Sequence, residues 1–271
     1  MKVAAIQMVS GTQLADNLRA ARALLEQAAN SGAELAALPE YFCAMGHRDT
    51  DKLALREVFG KGVVQDFLAC TARDLQMWIV GGTLLLHATR DDRVFNTTLV
   101  FDPRGDCVAR YDKIHLFHFD NGREHYDEGR VVQAGHSPVQ FDLPSRDGHR
   151  WRVGRSVCYD LRFPELYRAH ASAGADLLLV PSAFTHTTGQ AHWELLLRAR
   201  AVENLAYVVA PAQGGVHENG RHTWGHTMLI DPWGTIVAQL AQAPGVVTDT
   251  LDVERLRTLR RQLPALAHRV L

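Results

Sequence analysis

The first half of the chain alternates apolar runs with amphipathic segments. The apolar run over residues 3–8 is typical of a buried strand, and Thr12 precedes a stretch whose apolar residues recur at helical spacing up to Gly32. Thr12 is therefore predicted to cap a first helix. The same reading predicts the other elements of this half: strands over 34–38, 78–86, 94–101 and 107–111, and a helix over 64–75. The predicted order is βαβαβββ.

The second half repeats this pattern after a long interruption. Residues 118–150 are rich in His, Gly, Asp and Arg without periodicity, which predicts a long loop. Beyond it, the pattern predicts strands over 153–158, 176–181, 206–210, 224–230, 235–240 and 246–251, and helices over 164–173 and 192–204. Because no Ser- or Pro-rich linker separates the halves, we expect one domain over 1–271, an α/β sandwich of two sheets with helices outside. The basic segment 253–271 is predicted to be a tail that docks on a partner subunit.

The composition narrows the class of protein further. The 271 residues include 29 Lys and Arg against 30 Asp and Glu, a formal charge of −1, which favours neither nucleic acid nor an anionic membrane as a partner. No apolar run approaches the ~20 residues of a membrane-spanning helix, and the N-terminus lacks the apolar core of a signal peptide. We therefore expect a cytoplasmic protein. Four widely spaced cysteines without a Cys-x-x-Cys pair predict free thiols, one of which can be a nucleophile.

Three reactive side chains stand at the ends of predicted strands. These are Glu40, Lys113 and Cys158, and a helix is predicted to open at Pro164, shortly after the cysteine. Taken singly, each has an ordinary interpretation: an exposed turn carboxylate, a lysine that extends to solvent, and a small buried hydrophobe. Together, at the carboxyl ends of strands, they supply a proton acceptor, a cation for an oxyanion and a nucleophile, the set that acyl transfer needs. The helix N-terminus is expected to lower the pKa of Cys158.

The sequence around these three residues resembles the three signature regions of the nitrilase, or carbon-nitrogen hydrolase, superfamily. The similarity runs along essentially the whole chain, and four further stretches are similar to the Nit branch of the superfamily: 191–201, 224–226, 231–234 and 259–264. The resemblance implies a four-layer αββα sandwich and a Glu-Lys-Cys triad. In that triad Glu40 is the general base, Lys113 the cation on the oxyanion side and Cys158 the nucleophile.

The resemblance also bears on two residues outside the triad. Glu128, in the 118–150 loop, falls where the family often has a further active-site carboxylate, and Glu124 and Asp127 are the alternatives if the register differs by a few residues. Arg155 departs from the family pattern, because relatives commonly carry an apolar residue in the strand that leads to the cysteine. Whether Arg155 faces the core, the solvent or the site is left open.

These roles imply a cysteine-dependent amidase that acts through a thioester. Cys158 would attack a primary amide of a small carboxylate-bearing substrate, with Lys113 and the backbone N–H of Tyr159 facing the oxyanion, and ammonia would leave. Members of the Nit branch act as ω-amidases, which implies deaminated glutathione as the substrate, with 2-oxoglutaramate or an N-carbamoyl amide as alternatives. The resemblance further implies a homodimer or higher homo-oligomer. No cofactor and no metal are expected.

The position of one strand predicts part of the substrate pocket. The residues that follow the strand at 176–181 are expected to line it: Phe184, Thr185 and Thr187. A substrate carboxylate requires a cation, and the sequence offers four candidates: Arg155, Arg162, Arg198 and Arg200. Of these, Arg198 and Arg200 are expected to pair with acidic neighbours.

Three alternatives compete with the triad. The 14 histidines could hold a metal, with two groups as candidates: His115 with His118, and His217 with His222 and His226. However, the chain has no His-Glu-x-x-His segment. A histidine could instead be the base for Cys158, because sequence does not show which histidine lies beside it. Finally, the chain could be a non-catalytic binding subunit on the same scaffold, since fold and function are separable.

Overall fold

The structure, a computed structural model, describes residues 1–48 and 50–270. Its strands are β1 Lys2–Gln7, β2 Leu35–Ala37, β3 Trp78–Val80, β4 Leu84–His87, β5 Val94–Phe101, β6 Cys107–Asp112, β7 His118–Asp120, β8 His125–Asp127, β9 Gln140–Pro144, β10 Arg150–Arg155, β11 Leu177–Leu179, β12 Tyr207–Ala210, β13 Gly214–Val216, β14 His222–Trp224, β15 Thr227–Ile230, β16 Ile236–Leu240 and β17 Gly245–Thr250. Its helices are α1 Leu14–Asn30, α2 Asp51–Ala54, α3 Val63–Leu75, α4 Pro164–Ser172, α5 His186–Asn204 and α6 Val253–Gln262. Short 3-10 turns cover Glu128–Arg130 and Cys158–Arg162.

The strands form two main sheets, each of which contains three parallel strands. The first sheet has the order β17-β1-β2-β3-β5-β4, and β6 pairs with β5. The second has the order β16-β15-β12-β11-β10-β9. β1, β2 and β3 are parallel in the first sheet, as are β10, β11 and β12 in the second. Because parallel strands end at one edge of a sheet, the segments that follow β2 and β10 emerge at such edges.

Side-chain alternation along β1 shows how the layers stack. Val3 and Ala5 belong to the apolar core between the two sheets, whereas Ala4 and Ile6 pack with residues of α1 and α3 on the outer face. On the far side, Trp193 and Leu197 of α5 pack on the outer face of the second sheet, together with residues of α4. The layers therefore run helix, sheet, sheet, helix, and the predicted four-layer αββα sandwich is confirmed.

The predicted N-cap of the first helix is wrong. The helix begins at Leu14, and Gln13 occupies the cap position without a side-chain hydrogen bond. Thr12 instead donates its hydroxyl hydrogen to Glu218 at 2.7 Å, and the same carboxylate accepts from the Thr12 backbone N–H. The Thr12 hydroxyl is therefore engaged by a carboxylate 206 residues away along the chain and does not cap the helix.

Two predicted strands are each divided by a glycine. The run over 78–86 forms β3 and β4, separated at Gly82, whose φ is +47° and where a Cβ would lie 2.0 Å from the carbonyl oxygen of Pro39. The run over 224–230 forms β14 and β15, separated by Gly225 and His226, both with positive φ. The left-handed backbone interrupts the strand in both cases although the apolar run continues.

The predicted loop over 118–150 contains three strands. β7 and β8 pair with each other as a hairpin, and β9 pairs antiparallel with β10 at the edge of the second sheet. In β9, Phe141 and Leu143 are buried while Gln140 and Asp142 are partly exposed, which is the alternation of a short edge strand.

The predicted docking tail begins as part of the sandwich. Leu256 and Leu259 of α6 are buried, and Leu256 belongs to the core between the sheets. Arg260 donates to the Asp176 carboxylate at 2.8 Å and to the Leu205 carbonyl at 3.0 Å. Residues 253–262 therefore pack against their own chain. Among the described residues of the segment, those after α6 are mostly exposed.

Candidate active site

The structure brings the three reactive side chains predicted from the sequence into one pocket. Glu40 follows β2, Lys113 follows β6 and Cys158 follows β10, so two come from the first sheet and one from the second. All three line a pocket of about 570 Å³ that is open to solvent. Glu40 and Lys113 are each 1 % exposed and Cys158 is 7 % exposed. The reactive groups therefore lie at the buried end of a pocket between the carboxyl edges of both sheets.

Lys113 is held between two carboxylates. Its Nζ donates to Glu40 Oε1 at 3.0 Å and to Glu128 Oε2 at 2.7 Å. The second oxygen of Glu40 accepts the backbone N–H of Ala183 at 3.0 Å. Each charged group in this cluster therefore has hydrogen-bonding partners of complementary character, which a buried charge requires.

Glu128 lies in the pocket, and of the three carboxylates considered for this role it is the one bonded to Lys113. Its Oε1 accepts from the Tyr41 hydroxyl at 2.6 Å, and its Oε2 also accepts the Phe117 backbone N–H at 2.9 Å. Asp127 lines the same pocket without a hydrogen bond to Lys113, and Glu124 accepts from an exposed threonine on the surface.

An asparagine that sequence reasoning missed connects the two carboxylates. Asn96 Nδ2 lies 2.9 Å from Glu40 Oε1, 3.1 Å from the Tyr41 hydroxyl oxygen and 3.2 Å from Glu128 Oε1. Asn96 is fully buried in β5. The available signal was the one amide side chain in a strand of mostly buried residues, because a buried amide needs partners.

Cys158 sits at a sharp turn between β10 and the 3-10 turn that it opens. Its φ of +50° is in the left-handed region, which is strained for a residue with a side chain. The buried Asp160 holds the turn, because its carboxylate accepts the Val157 N–H at 2.8 Å, the His115 N–H at 3.0 Å and the Tyr111 hydroxyl at 2.6 Å. The strain is offset by these bonds, and the thiol is directed into the pocket.

The backbone N–H of Tyr159 lies at the open end of this turn. The first N–H groups of a helical turn have no partner within it, so they can receive an anionic oxygen. The Tyr159 ring packs edge-on against Phe117 at 5.3 Å and against Phe163 at 5.4 Å. The ring contacts fix the residue that carries this N–H.

The pKa of Cys158 is raised, opposite to the expectation from the helix N-terminus. Burial raises the pKa of the thiol well above its usual value, and the negative charge of Glu40 raises it further. Lys113 and the Ala183 N–H act in the opposite direction but do not compensate. The resting thiol is therefore neutral, and attack by its sulfur would require removal of the proton.

Lys113 and Glu128 keep their charges. Burial alone lowers the pKa of Lys113, but Glu128 and Glu40 raise it well above its usual value. Burial alone raises the pKa of Glu128, but Lys113 and Lys52 lower it to about 2. The ammonium and this carboxylate are therefore both ionised at neutral pH.

Two cations line the pocket that the sequence did not indicate. Lys52, on α2, has its Nζ 5.0 Å from the centroid of the Tyr41 ring, and Arg221 has its guanidinium carbon 5.6 Å from the centroid of the Tyr126 ring. Neither belongs to a motif, and each reaches the pocket from a loop or a short helix. No local pattern in the sequence could have selected them.

The predicted pocket residues separate into two groups. Thr185 lines the main pocket, and Phe184 lines an adjoining pocket of about 210 Å³ that also contacts Cys158. The structure places Thr187 elsewhere: it is exposed, and its hydroxyl donates to Glu124 at 2.7 Å. The reason is that α5 begins at His186, earlier than predicted, so Thr187 already lies on the outer surface of a helix.

One of the four candidate arginines lies at a pocket. Arg162 lines the adjoining pocket, with its guanidinium carbon 5.7 Å from the Tyr159 ring centroid. Arg198 pairs with Glu194, and Arg200 donates to the Leu161 carbonyl and to Glu203, as their predicted acidic pairing requires. Arg155 is buried in the interior, 1 % exposed, and lines neither pocket.

The histidines are dispersed. His115 Nδ1 lies 2.7 Å from Asp160 Oδ1, His118 is exposed, and His226 stacks on Trp224. His217 is buried in contact with Ser10 and Thr223. Within the described ranges 1–48 and 50–270, no three side chains of His, Cys, Asp or Glu gather closely enough to hold a metal ion. In the same ranges, no helix has the length and apolar character that crossing a membrane requires.

The chain is similar to known proteins in both sequence and structure. The model of the carbon-nitrogen hydrolase family matches residues 2–261. The deaminated glutathione amidase of Synechocystis sp. strain PCC 6803 / GT-S is 41 % identical over 270 residues, which cover 98 % of this chain and 97 % of that protein.

Two solved structures extend the comparison. Nit3 of Saccharomyces cerevisiae, a member of branch 10 of the nitrilase superfamily, aligns with a TM-score of 0.88 at 28 % identity, over 100 % of this chain and 97 % of that one. A mutant amidase from Nesterenkonia sp. AN1, with acrylamide added at its active site cysteine, aligns with a TM-score of 0.79 at 26 % identity, over 97 % and 98 %. The chain belongs to the carbon-nitrogen hydrolase family of the nitrilase superfamily and is a hydrolase of the amidase type.

Proposed function

We propose that the protein hydrolyses the ω-amide bond of deaminated glutathione through a thioester on Cys158. The observation that carries this proposal is the Lys113 ammonium, bonded to both Glu40 and Glu128 in the pocket that holds the Cys158 thiol. The name of the Synechocystis relative, at 41 % identity, supports the choice of substrate. Lys52 and Arg221 supply positive charge in the same pocket, which suits a substrate that carries carboxylates.

The first half of the reaction forms the thioester. Glu40 accepts the proton of the neutral thiol as sulfur attacks the amide carbonyl, so that the thiolate exists only during attack. Lys113 and the Tyr159 N–H stabilise the tetrahedral oxyanion. Glu40 then returns the proton to the amide nitrogen, the carbon–nitrogen bond breaks and the amine leaves. In the second half, the same carboxylate takes a proton from water as the water oxygen attacks the thioester. The carbon–sulfur bond then breaks, the acid is released, and Glu40 returns the proton to the Cys158 sulfur.

Glu128 is proposed to hold Lys113 rather than to exchange protons. Its pKa of about 2 keeps it ionised throughout the cycle, whereas a general base must take up a proton. With Glu128 charged, Lys113 remains an ammonium even when Glu40 is transiently neutral. The position of the ammonium is then constant through both half-reactions.

The leaving group depends on which amide is cleaved. Glutathione joins its γ-carboxyl to cysteinylglycine, so deaminated glutathione has a secondary ω-amide, and its hydrolysis releases cysteinylglycine and 2-oxoglutarate. Ammonia leaves only from primary amides such as 2-oxoglutaramate. The expected release of ammonia therefore applies to that alternative substrate and not to deaminated glutathione. Both reactions yield 2-oxoglutarate, which is the product to assay.

The test measures 2-oxoglutarate formation from both amides, with N-carbamoyl-β-alanine and a simple nitrile assayed for ammonia. We expect the highest kcat/KM with deaminated glutathione, and a thioester adduct on Cys158 by mass spectrometry after rapid acid quenching. Cys158→Ala should be inactive, whereas Cys70→Ala, at an exposed thiol, should match the wild type. Preference for N-carbamoyl-β-alanine would reassign the protein as a ureido hydrolase. Activity in Cys158→Ala would refute the nucleophile, and inactivity of the wild type on every compound would favour a binding subunit.

We further propose a homodimer in the cytoplasm. Thiol chemistry at Cys158 favours a reducing compartment, and all four cysteines are free thiols. Exposed apolar side chains on and near α5 support association: Leu195, Val202, Trp233 and Val237 are all at least 39 % exposed. Light scattering coupled to size exclusion tests the oligomer, and Leu195→Asp should shift the mass to that of a monomer if this face is used.

A further inference from the structure

His217 is buried next to the pocket with both ring nitrogens bonded. Its Nδ1 lies 2.9 Å from the backbone carbonyl oxygen of Ser10, and its Nε2 lies 2.7 Å from Thr223 Oγ1. A carbonyl oxygen can only accept a hydrogen bond, so Nδ1 must carry a hydrogen. The tautomer of His217 is thereby determined by a backbone atom of the segment after β1.

The charge of His217 follows from its surroundings. Burial lowers the pKa of the ring most, the Ser10 carbonyl raises it by a smaller amount, and the nearby Arg221 and His222 lower it again, so the pKa lies below its usual value. The ring is therefore neutral at pH 7, and Nε2 can only accept. The Thr223 hydroxyl must donate its single hydrogen to that nitrogen, which leaves the oxygen of Thr223 with acceptor capacity alone.

Thr223 also lines the substrate pocket. An oxygen fixed as an acceptor repels carbonyl and carboxylate oxygens and binds N–H or O–H groups. The acyl portion of deaminated glutathione carries a 2-oxo group and a carboxylate, both acceptors at neutral pH. Its N–H donors all belong to the cysteinylglycine portion, so that portion is the one that matches Thr223.

Of these donors, the scissile N–H lies next to the sulfur during attack. Thr223 is bonded to His217 and is not part of the hydrogen-bond network near the sulfur. That network links four other side chains: Glu40, Lys113, Asn96 and Glu128. We propose that Thr223 Oγ1, held as an acceptor by His217, binds the glycyl N–H of the leaving cysteinylglycine and thereby selects peptide-like amides over primary amides. This inference rests on the proposed function.

Two substrates with one acyl group isolate the effect. Deaminated glutathione and 2-oxoglutaramate form the same acyl-enzyme, so a change in the ratio of their kcat/KM values reports only on the leaving portion. We expect Thr223→Val to lower this ratio about tenfold, because the glycyl N–H is then buried without an acceptor. Thr223→Ser, which retains the hydroxyl, should restore most of the ratio. The amide of the same acyl group with cysteine alone lacks the glycyl N–H, and its ratio to 2-oxoglutaramate should stay at the wild-type value in Thr223→Val.

Controls separate recognition from folding. Thr71→Val removes another buried threonine hydroxyl on α3, away from the pocket, and should leave the ratio at the wild-type value. Equal losses on both substrates in a folded Thr223→Val protein, or no loss, would overturn the inference while the proposed function stands. A wild-type protein that cleaves 2-oxoglutaramate but not deaminated glutathione would overturn both. A wild-type protein inactive on both would refute the proposed function and, with it, the subsite.

Discussion

Lys113 and Arg155 are both cations buried in the sandwich, each 1 % exposed, but their surroundings are opposite. Lys113 donates to two carboxylates, and its pKa is raised well above the usual value. Arg155 has no hydrogen-bond partner among the described residues for any of its three guanidinium nitrogens, and burial lowers its pKa to about 10. Its guanidinium carbon lies 5.8 Å from the centroid of the Phe141 ring.

The two cations differ in whether their buried charge is compensated by neighbouring groups. Around Lys113 the ammonium and the two carboxylates are hydrogen-bonded to one another, so removing one of these charges leaves another uncompensated. Arg155 shares the orientation of Trp151 and Val153 on β10, towards the core between the sheets, where an apolar side chain would suit better. The charge of the first cation is compensated by its partners, whereas the second is a cost to stability that the rest of the fold offsets.

The largest expected effect is the loss of the paired cation. Lys113→Met removes the cation between Glu40 and Glu128 and, with it, one proposed oxyanion donor. We expect kcat to fall at least 10²- to 10³-fold and the free energy of unfolding to fall by about 3–5 kcal/mol. Steady-state kinetics and urea unfolding measure the two losses. The exposed Lys61→Met is the control, and an unchanged stability would show that the carboxylates do not depend on Lys113.

The next effect concerns the carboxylate paired with Lys113. Because the folded-state pKa of Glu128 is about 2, below its unfolded value, its contribution is full above about pH 4.5 and is lost as pH falls towards 2. We expect Glu128→Gln to lose on the order of 3 kcal/mol at pH 7 and to show a flatter acid limb. Urea unfolding at several pH values measures this. Glu26→Gln, at an exposed carboxylate, should keep the wild-type dependence of stability on pH. If the pH profile of Glu128→Gln ran parallel to that of the wild type, the pairing of Glu128 with Lys113 would be contradicted.

Replacing Arg155 should change the free energy of unfolding in the opposite direction. We expect Arg155→Leu to raise the free energy of unfolding by about 1–3 kcal/mol at pH 7, because it removes a buried charge that has no hydrogen-bond partner among the described residues. Arg200→Met is the matched control, since Arg200 is also buried but donates to the Leu161 carbonyl and to Glu203, so its loss should destabilise. Chemical unfolding compares the two variants. Destabilisation by Arg155→Leu would mean that the guanidinium has compensation in solution.

The smallest effect is a shift in thiol ionisation. The negative charge of Glu40 raises the pKa of Cys158, so Glu40→Gln should lower it, and alkylation by iodoacetamide should begin about one pH unit or more lower. Hydrolysis should nevertheless fall, because the base is lost. Peptide mass spectrometry follows alkylation at each cysteine, with the exposed Cys70 as the internal control. A pH profile for Cys158 that stays in place would show that Glu40 does not act on the thiol.

Much of the sandwich was readable from local pattern. The runs at 94–101 and 164–173 became β5 and α4 nearly residue for residue, because burial of one face repeats at a fixed period. The pattern failed where backbone conformation or a distant partner decided. Gly82 divides an apolar run by its left-handed backbone, and the Thr12 hydroxyl is bonded to the distant Glu218 instead of capping α1.

The candidate site also contains residues that the sequence could indicate and residues that only the structure shows. The sequence was sufficient to select four residues of the pocket. Three of them stand at the ends of predicted strands, and the stretches around them resemble a known family, which also indicated the fourth: Glu40, Lys113, Cys158 and Glu128. Asn96, which bonds to two of them, was not selected, since an amide within a strand has no meaning until its neighbours are known. Lys52 and Arg221 reach the pocket from segments without a motif.

The sequence by itself determined the layers, the family and the identity of the reactive groups, because hydrophobic period and motif spacing are properties of neighbouring residues. Only the tertiary structure decided the protonation states. Whether the Cys158 thiol is neutral, whether Glu128 is ionised and which way the Thr223 hydroxyl points all depend on burial and on charges from distant strands. Electrostatic energy varies with the distance between charges in space and with their access to water, and the order of residues along the chain specifies neither of these directly.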